Sequence, residues 1–302
     1  MLNRLARSKP PPAVACGAKS QRKNPRNIPV AVFDANACEA FMEELTAIAA
    51  RAAAAIRQCG AASLRYKADG SPVTTADQAA EAVILQNLRR LAPEIPIVSE
   101  EQAAEDQAQA GTPRDTAYFL IDPLDGTREF IAGRDEFTVN IALINLGTPL
   151  IGIVAAPAID LAWRGIVGRG AERMTLTDYS GRIAIHTRPR SARPVVMISR
   201  SHLDADTKAY LADLAQASSV TCGSSIKFCR IAEGAADLYP RLAPTHDWDV
   251  AAGHALVLAA GGDVRAADGS ALVYGTRKRL IPDFIARGDP RQGVSAMGKR
   301  QG

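Results

Sequence analysis

The sequence lacks the features that would place the chain in several special classes. No apolar stretch approaches the roughly 18 residues that a membrane-spanning helix needs, so we predict no transmembrane segment. The five cysteines are an odd number and include no Cys-x-x-Cys pair, which argues against a disulfide framework and against a zinc site. Because free thiols are typical of a reducing compartment, we expect a cytoplasmic protein.

Acidic residues are missing from the first 30 positions, which carry seven lysines and arginines. Subtracting these seven charges from the overall net charge of +4 leaves −3 for the rest of the chain. The excess of positive charge therefore belongs to this segment and gives no reason to expect a nucleic-acid partner. Because the segment has no helical or strand period, we predict a disordered basic tail over residues 1–34. A targeting peptide and an extended start of the chain are the alternatives for it.

The remainder has the composition of a globular protein, with 47% hydrophobic and 23% charged residues over the whole chain. Its first part combines predicted helices, including one over 35–58, with β-rich runs such as the hairpin around 147–149. From about residue 190 predicted strands and helices alternate, including a helix over 204–217 and a strand over 236–240, which is typical of an α/β layer. We predict an N-terminal α+β metal-binding part over 35–190, a C-terminal α/β part over 191–287 and a frayed tail over 288–302.

The most informative stretch is Asp122-Pro123-Leu124-Asp125-Gly126-Thr127, which follows an apolar run that predicts a buried strand. Proline stops the strand, glycine permits a turn, and threonine suits a helix N-terminus, where backbone N–H groups attract anions. Mg²⁺ prefers carboxylate and phosphate oxygens, so this stretch predicts a magnesium-assisted phosphoryl site. An ordinary surface turn is the alternative, since Asp-Pro and Asp-Gly are common turn dipeptides.

Three further carboxylates occupy similar positions: Asp77 in the first turn of a predicted helix, Glu100 at a strand end and Asp249 at a helix start. Taken alone, an acid in a first turn is usually a cap. If these side chains and the two aspartates above converge, like charges about 4 Å apart repel by roughly 4 kcal/mol per pair at an effective dielectric constant near 20. Divalent cations relieve that repulsion and assist phosphoryl transfer.

Three ordered motifs resemble the inositol monophosphatase superfamily: Ser99-Glu100-Glu101, Asp122 to Thr127, and Trp248-Asp249-Val250-Ala251-Ala252-Gly253. The resemblance covers about residues 37–286 and implies a layered αβαβα sandwich, as in fructose-1,6-bisphosphatase, with Mg²⁺-dependent and lithium-sensitive phosphatase activity. Arg128-Glu129-Phe130 and the stretch 223–229 are similar to the CysQ-type 3′(2′),5′-bisphosphate nucleotidases, a branch that acts in sulfur metabolism. That branch usually has lysine at the position of Arg128.

The resemblance also implies a role for each site residue. Two or three Mg²⁺ ions are expected on Glu100, Asp122, the Leu124 carbonyl, Asp125 and Asp249. Asp77 is expected to hold the Thr127 hydroxyl, so that Thr127 with Glu100 orients and deprotonates the attacking water. The N–H groups of Gly126 and Thr127 are expected to hold the scissile phosphate. Further substrate contacts are expected from His202, Ser224, Lys227, Arg241 and Asp249.

Two of these substrate contacts have plain alternatives, and Glu101 has no assigned role. Ser224 can be a helix cap and Arg241 a surface charge. Glu101 is expected either behind the metal ligands or in solvent.

The implied reaction is removal of the 3′-phosphate of adenosine 3′,5′-bisphosphate, giving AMP and phosphate, with 3′-phosphoadenylyl sulfate as a further candidate substrate. The alternative enzyme is an inositol monophosphatase or sugar bisphosphatase, and the alternative class is a non-catalytic sensor of a phosphorylated ligand. We expect a monomer or homodimer whose partner is its small-molecule substrate. The expected location is the cytoplasm, and this location is compatible with peripheral association with the inner membrane.

Overall fold

The computed structural model describes residues 35–59, 63–67, 70–105, 116–214, 216–276 and 278–291. The predicted tail over 1–34 and most of the predicted tail over 288–302 lie outside these residues. The helices within them are α1 (Ala35–Gln58), α2 (Thr75–Leu91), α3 (Glu100–Glu105), α4 (Thr127–Ile131), α5 (Ala205–Ala212), α6 (Ile226–Ala232) and α7 (Asp247–Ala259).

The strands are β1 (Leu64–Tyr66), β2 (Pro72–Thr74), β3 (Ile97–Ser99), β4 (Tyr118–Asp125), β5 (Thr138–Asn145), β6 (Thr148–Ala156), β7 (Leu161–Ile166), β8 (Gly170–Thr175), β9 (Ile183–Ile185), β10 (Val195–Ser199), β11 (Ser218–Cys222), β12 (Leu238–Arg241), β13 (Thr245–His246), β14 (Asp263–Ala266), β15 (Leu280–Ile281) and β16 (Phe284–Arg287). Strands β3 to β9 form a seven-stranded sheet in chain order, in which only β3 and β4 pair in parallel. A five-stranded sheet has the order β11-β10-β12-β16-β14.

The seven-stranded sheet is covered on both faces. Because successive side chains of a strand point to opposite faces, Phe119 and Ile121 of β4 pack with α1 and α2 in one apolar cluster. Tyr118 and Leu120 of the same strand belong to a second cluster, which includes α6 and α7. A sheet buried on both faces requires apolar residues at consecutive positions, which is why the run at 117–121 has no polar alternation.

The five-stranded sheet adds the remaining two layers. Met197 of β10 packs toward α6 and α7, whereas Val196 and Ile198 belong to a third apolar cluster together with Leu211 of α5. The order of layers is therefore helix, sheet, helix, sheet, helix. This arrangement confirms the predicted αβαβα fold.

Helix α7 lies against the seven-stranded sheet at a distance that only glycine permits. A Cβ added to Gly152 on β6 would lie 2.2 Å from the Ala252 carbonyl oxygen. This close approach fixes α7, whose first turn carries Asp249, relative to the strand layer that carries Asp122. Among the described residues, no helix is long and apolar enough to cross a membrane.

The element predictions differ from the structure mainly after residue 200. Helix α1 has the predicted bounds, but the helix predicted over 204–217 ends at Ala212, and Leu238–Arg241 replaces the strand predicted over 236–240. No strand was predicted after residue 262, yet β16 lies between β12 and β14 inside the five-stranded sheet. Its four residues are too few to show a period, so pairing on both edges, rather than local pattern, defines this strand.

Candidate active site

A cavity of about 330 Å³ opens where β4, β10 and β11 end and where α4, α6 and α7 begin. Both predicted parts of the chain therefore contribute to its walls. Of the predicted site residues, only Asp77 is not among those that line it. The tertiary structure thus brings together side chains that are up to 149 positions apart, from Glu100 to Asp249.

Four acidic side chains, which we call the carboxylate cluster, line one region of this cavity: Glu100, Asp122, Asp125 and Asp249. Glu100 opens α3, and Asp249 lies in the first turn of α7. Asp122 lies inside β4, three residues before Asp125, which ends that strand. Ligand oxygens of Glu100, Asp122 and Asp249 all lie within 4.8 Å of one another. An all-oxygen donor set at this spacing suits a hard divalent cation such as Mg²⁺.

The electrostatics of the cluster point to the same conclusion. Burial, followed by the charge of Glu100, raises the pKa of Asp122 well above its ordinary value. Burial and the charges of Asp125 and Glu100 raise the pKa of Asp249 to about 8. Because the carboxylates resist ionising beside one another, bound positive charge is needed to keep them all ionised near neutral pH.

Asp125 is held by two side chains that the sequence analysis did not identify. Ser225 Oγ donates to Asp125 Oδ2 at 2.9 Å, and Asn140 Nδ2 approaches the same oxygen at 3.4 Å. Asn140 Nδ2 also donates to Ser225 Oγ at 2.9 Å. These bonds oppose the effect of burial, which nevertheless leaves the pKa of Asp125 raised. A single serine or asparagine in a sequence carries no signal for such a contact.

Asp77 combines the capping role and the predicted functional role. Its Oδ2 accepts from the Thr74 backbone N–H at 2.8 Å and from the Thr74 hydroxyl at 2.6 Å, which completes a capping box at the start of α2. Its Oδ1 lies 3.1 Å from Thr127 Oγ1. The two readings of Asp77 are therefore compatible, because each uses a different oxygen.

The predicted stop at Pro123 is wrong, whereas the predicted glycine turn is confirmed. Strand β4 continues through Pro123 to Asp125, because the register against β5 is irregular between Asp122 and Asp125 and the proline needs no ladder hydrogen bond there. Gly126 has φ 91°, a left-handed conformation that other residues resist, and a Cβ there would lie 2.9 Å from the Glu136 carbonyl oxygen. Thr127 opens α4, and its hydroxyl also lies 3.2 Å from the Leu124 carbonyl oxygen. The turn thus places the Leu124 carbonyl, Thr127 and the N–H groups of the first helical turn beside the cavity.

A second set of side chains, which we call the basic group, lines another region of the cavity: Arg128, His202, Lys227 and Arg241. Partial desolvation by the surrounding protein and the charges of Arg241, Arg128 and Lys227 lower the pKa of His202, and the charge of Glu129 opposes them without reversing the direction. Arg241 is half-buried, and its Nε has no hydrogen-bond partner among the described residues. The buried Nε distinguishes Arg241 from a fully exposed surface charge, and its role in binding stays a prediction.

Lys227 lies between the two sets, because its charge affects the pKa of both Asp125 and His202. It is 4% exposed, donates to the carbonyl oxygens of Ser224 at 2.5 Å and Cys222 at 3.3 Å, and lies over the Tyr239 ring. Ser224 has φ 46°, and its hydroxyl is 3.4 Å from the Ile226 N–H at the start of α6. That long contact gives the capping alternative for Ser224 weak support.

Lys67 is the main residue that sequence reasoning missed. Its Nζ donates to Glu100 Oε1 at 2.7 Å and to Glu101 Oε1 at 2.8 Å. Burial lowers the pKa of Lys67, but the two carboxylates outweigh burial and raise it overall. Glu101 is buried behind Glu100 rather than solvated, and burial and Glu100 raise its pKa to about 7. A lysine after a three-residue strand gives no sequence signal for this contact.

Comparison with known proteins identifies the class to which this fold and site belong. The chain matches the inositol monophosphatase family over residues 38–291 and belongs to that family. It is 46% identical over 220 residues to the 3′(2′),5′-bisphosphate nucleotidase CysQ of Shigella flexneri, covering 72% of this chain and 86% of the relative. The CysQ nucleotidase of Salmonella typhimurium is 43% identical over 250 residues, 81% of this chain and 98% of the relative.

Solved structures show the same relationship. CysQ from Bacteroides thetaiotaomicron has a TM-score of 0.67 and 34% identity, covering 82% of this chain and 97% of that protein. An inositol monophosphatase from Anabaena has a TM-score of 0.66 and 28% identity, covering 83% of this chain and 91% of that protein. The fold is thus shared by both activities, whereas sequence identity is higher to the nucleotidases.

Proposed function

We propose that this protein is a Mg²⁺-dependent phosphatase that removes the 3′-phosphate of adenosine 3′,5′-bisphosphate, giving AMP and phosphate. Its similarity to bisphosphate nucleotidases over most of the chain supports this reaction. The single observation that carries the proposal is a cavity with a carboxylate cluster and a separate basic group. A substrate with two phosphates suits such a cavity, because each phosphate then has its own binding region.

The carboxylate cluster is the proposed region of chemistry. Glu100, Asp122, Asp125, Asp249 and the Leu124 carbonyl would hold two or three Mg²⁺ ions, since they are oxygen donors that otherwise repel one another. When bound, these ions would neutralise the phosphate charge and assist attack by water. Asp122 is 1% exposed, so solvent does not stabilise the negative charge of its carboxylate.

Thr127 is the proposed positioning group for the attacking water. Asp77 Oδ1 accepts a hydrogen bond from the Thr127 hydroxyl, which leaves the lone pairs of Thr127 Oγ1 to accept a hydrogen bond from a water molecule and orient it. Glu100 is the proposed base, and Lys67 holds one of its oxygens in place. Gly126 and Thr127 N–H groups at the start of α4 are the proposed donors to the scissile phosphate.

The basic group is the proposed region for the second phosphate. Arg241 supplies a buried, unpartnered Nε, and Arg128 and Lys227 supply further positive charge near His202. Ser224 and Asp249 are proposed to contact the ribose and phosphate from either side. A monophosphate of a small polyol would leave the basic group without an anion, which argues against the inositol monophosphatase alternative.

The non-catalytic sensor is a poorer explanation of the site. A sensor has no need of the Asp77–Thr127 pair, whose proposed role is to position water. Phosphate release measured on adenosine 3′,5′-bisphosphate, 3′-phosphoadenylyl sulfate, inositol 1-phosphate and fructose 1,6-bisphosphate tests all three functions. The highest kcat/KM is expected for the adenosine bisphosphate. A preference for inositol 1-phosphate would favour the alternative enzyme, and no release from any substrate would favour the sensor.

The proposal has four further parts, which concern inhibition, metabolic role, oligomeric state and cellular location. Inhibition by Li⁺ and a place in sulfur metabolism follow the bisphosphate nucleotidase branch. A monomer or homodimer in the cytoplasm, with peripheral association at the inner membrane, remains the proposed state in the cell. Sedimentation of the purified protein and fractionation of cells test these last two points directly.

A further inference from the structure

An exposed imidazole at the cavity wall has no role in the reaction described above. His246 and Trp248 both line the cavity, and their rings stack with centroids 4.5 Å apart and planes 9° apart. Trp248 is buried, whereas His246 is exposed. The tryptophan therefore supports one face of the imidazole and leaves an exposed ring on the wall of the cavity.

The backbone of His246 is fixed to the catalytic region. Its N–H donates to Asp249 Oδ2 at 3.1 Å, and strand β13 pairs His246 with Leu280 of β15. The next residue, Asp247, is 1% exposed, and its N–H donates to the Arg279 carbonyl oxygen at 2.9 Å. The ring is thus held at a constant position relative to the carboxylate cluster, which reduces the entropy lost on binding a flat partner.

We propose that His246, supported by Trp248, is the stacking platform for the purine base of the substrate; this inference rests on the proposed nucleotide function. The other rings at the cavity are less suited to the task. Phe228, Tyr239 and Phe284 are buried among one another in edge and stacked contacts. His202 is exposed, but it lies among the cations of the basic group, which suits a phosphate better than a base.

Stacking predicts a specific kinetic signature. Loss of an aromatic platform weakens binding of a base, so His246→Ala should raise the KM for adenosine 3′,5′-bisphosphate roughly tenfold and leave kcat nearly unchanged. His246→Phe should restore the KM because it keeps a flat ring on Trp248. His186→Ala is the matched control, since His186 is an exposed histidine outside the cavity.

Two product-like inhibitors separate the base from the phosphate. Inhibition by AMP should weaken about tenfold in His246→Ala, and inhibition by ribose 5-phosphate, which has no base, should not change. Equal weakening of both inhibitors, or failure of His246→Phe to restore AMP binding, would overturn the platform and assign His246 to the support of Asp249. An unchanged KM would also overturn it. Turnover by the wild-type protein is measured first, because its absence would reject the proposed function. In that case, calorimetric binding of AMP to the wild-type protein and to His246→Ala still tests whether His246 stacks on the base.

Discussion

The carboxylate cluster and the basic group share one cavity but are held in different ways. Asp125 and Asp249 accept hydrogen bonds from Ser225 and Thr245, and Glu100 is paired with Lys67. Arg241 in the basic group instead has a buried Nε without a partner among the described residues. The carboxylates are thus held in place by neighbouring donors, whereas Arg241 keeps a donor that an anionic ligand can satisfy. Lys227 of the basic group already donates to the carbonyl oxygens of Cys222 and Ser224.

This difference indicates which region determines the rate of the reaction and which determines the choice of substrate. Groups fixed before substrate arrives can act selectively on the transition state, because no reorganisation is needed during the reaction. Donors that gain partners only with the ligand contribute mainly to its affinity. We therefore expect changes in the carboxylate cluster to lower kcat and changes in the basic group to raise KM.

Removal of divalent cations should have the largest effect on turnover and should affect the carboxylate cluster but not the basic group. Excess chelator should lower turnover of adenosine 3′,5′-bisphosphate by about a thousandfold or more, because several kcal/mol of charge stabilisation is lost. Added Mg²⁺ should restore activity, and Li⁺ should reduce it. Binding of AMP by calorimetry should survive chelation, since the basic group contains no metal ligand. Full turnover in chelator would contradict the role of the carboxylate cluster.

Asp122→Asn should have the next largest effect and should lower kcat about a thousandfold. The substitution keeps the shape of the side chain but removes the most buried charge of the cluster. Glu101→Gln is the matched control, because Glu101 contacts Lys67 behind Glu100 and should change kcat less than about tenfold. Steady-state kinetics of both variants decide the assignment. Equal losses would mean that the two adjacent glutamates or the cluster are misassigned.

Thr127→Ala should lower kcat by about a hundredfold and leave KM almost unchanged. The expected magnitude is that of a group that positions or transfers a proton in the transition state. Asp77 keeps its hydrogen bonds to Thr74, so the start of α2 should remain intact. Thr127→Ser, which keeps the hydroxyl, should retain most of the activity. A rise in KM with unchanged kcat would place Thr127 in ground-state binding instead.

Lys227→Ala should have the smallest of these effects and the most selective one. Loss of a charge-assisted contact of about 1.5 kcal/mol predicts a rise of roughly tenfold in KM for the adenosine bisphosphate. A small substrate such as inositol 1-phosphate should be almost unaffected. Lys208→Ala, which removes an exposed lysine on α5, is the control for general charge effects. Equal weakening of both substrates would remove the main local support for a nucleotide substrate.

The two regions also differ in how far the sequence predicts them. All four residues of the carboxylate cluster were predicted from one rule, which places acids at strand ends and in first helical turns. The rule holds for Glu100, Asp125 and Asp249, whereas Asp122 lies three residues inside β4. His202 and Arg241 came only from family resemblance, since an isolated base on a loop or strand has many ordinary uses. Lys67 and Ser225 escaped prediction altogether, although both touch the cluster directly.

Helices and strands also differ in how far the sequence predicts them. Helix α1 has a long apolar period and was predicted with its observed bounds. Strand β16 has four residues, and its existence depends on pairing with β12 and β14. Local pattern therefore predicted long elements, and contacts distant in sequence determined the short ones.

The sequence alone determined the succession of helices and strands, the placement of acids at predicted element ends and hence the kind of chemistry, because periodicity and turn residues act locally. The layered class was implied by family resemblance. Only the tertiary structure decided that Asp77 serves both as cap and as partner of Thr127, that Lys67 bridges Glu100 and Glu101, and that His246 rests on Trp248. These contacts join residues through packing of separate layers, and no pattern within one segment encodes the distance between two others.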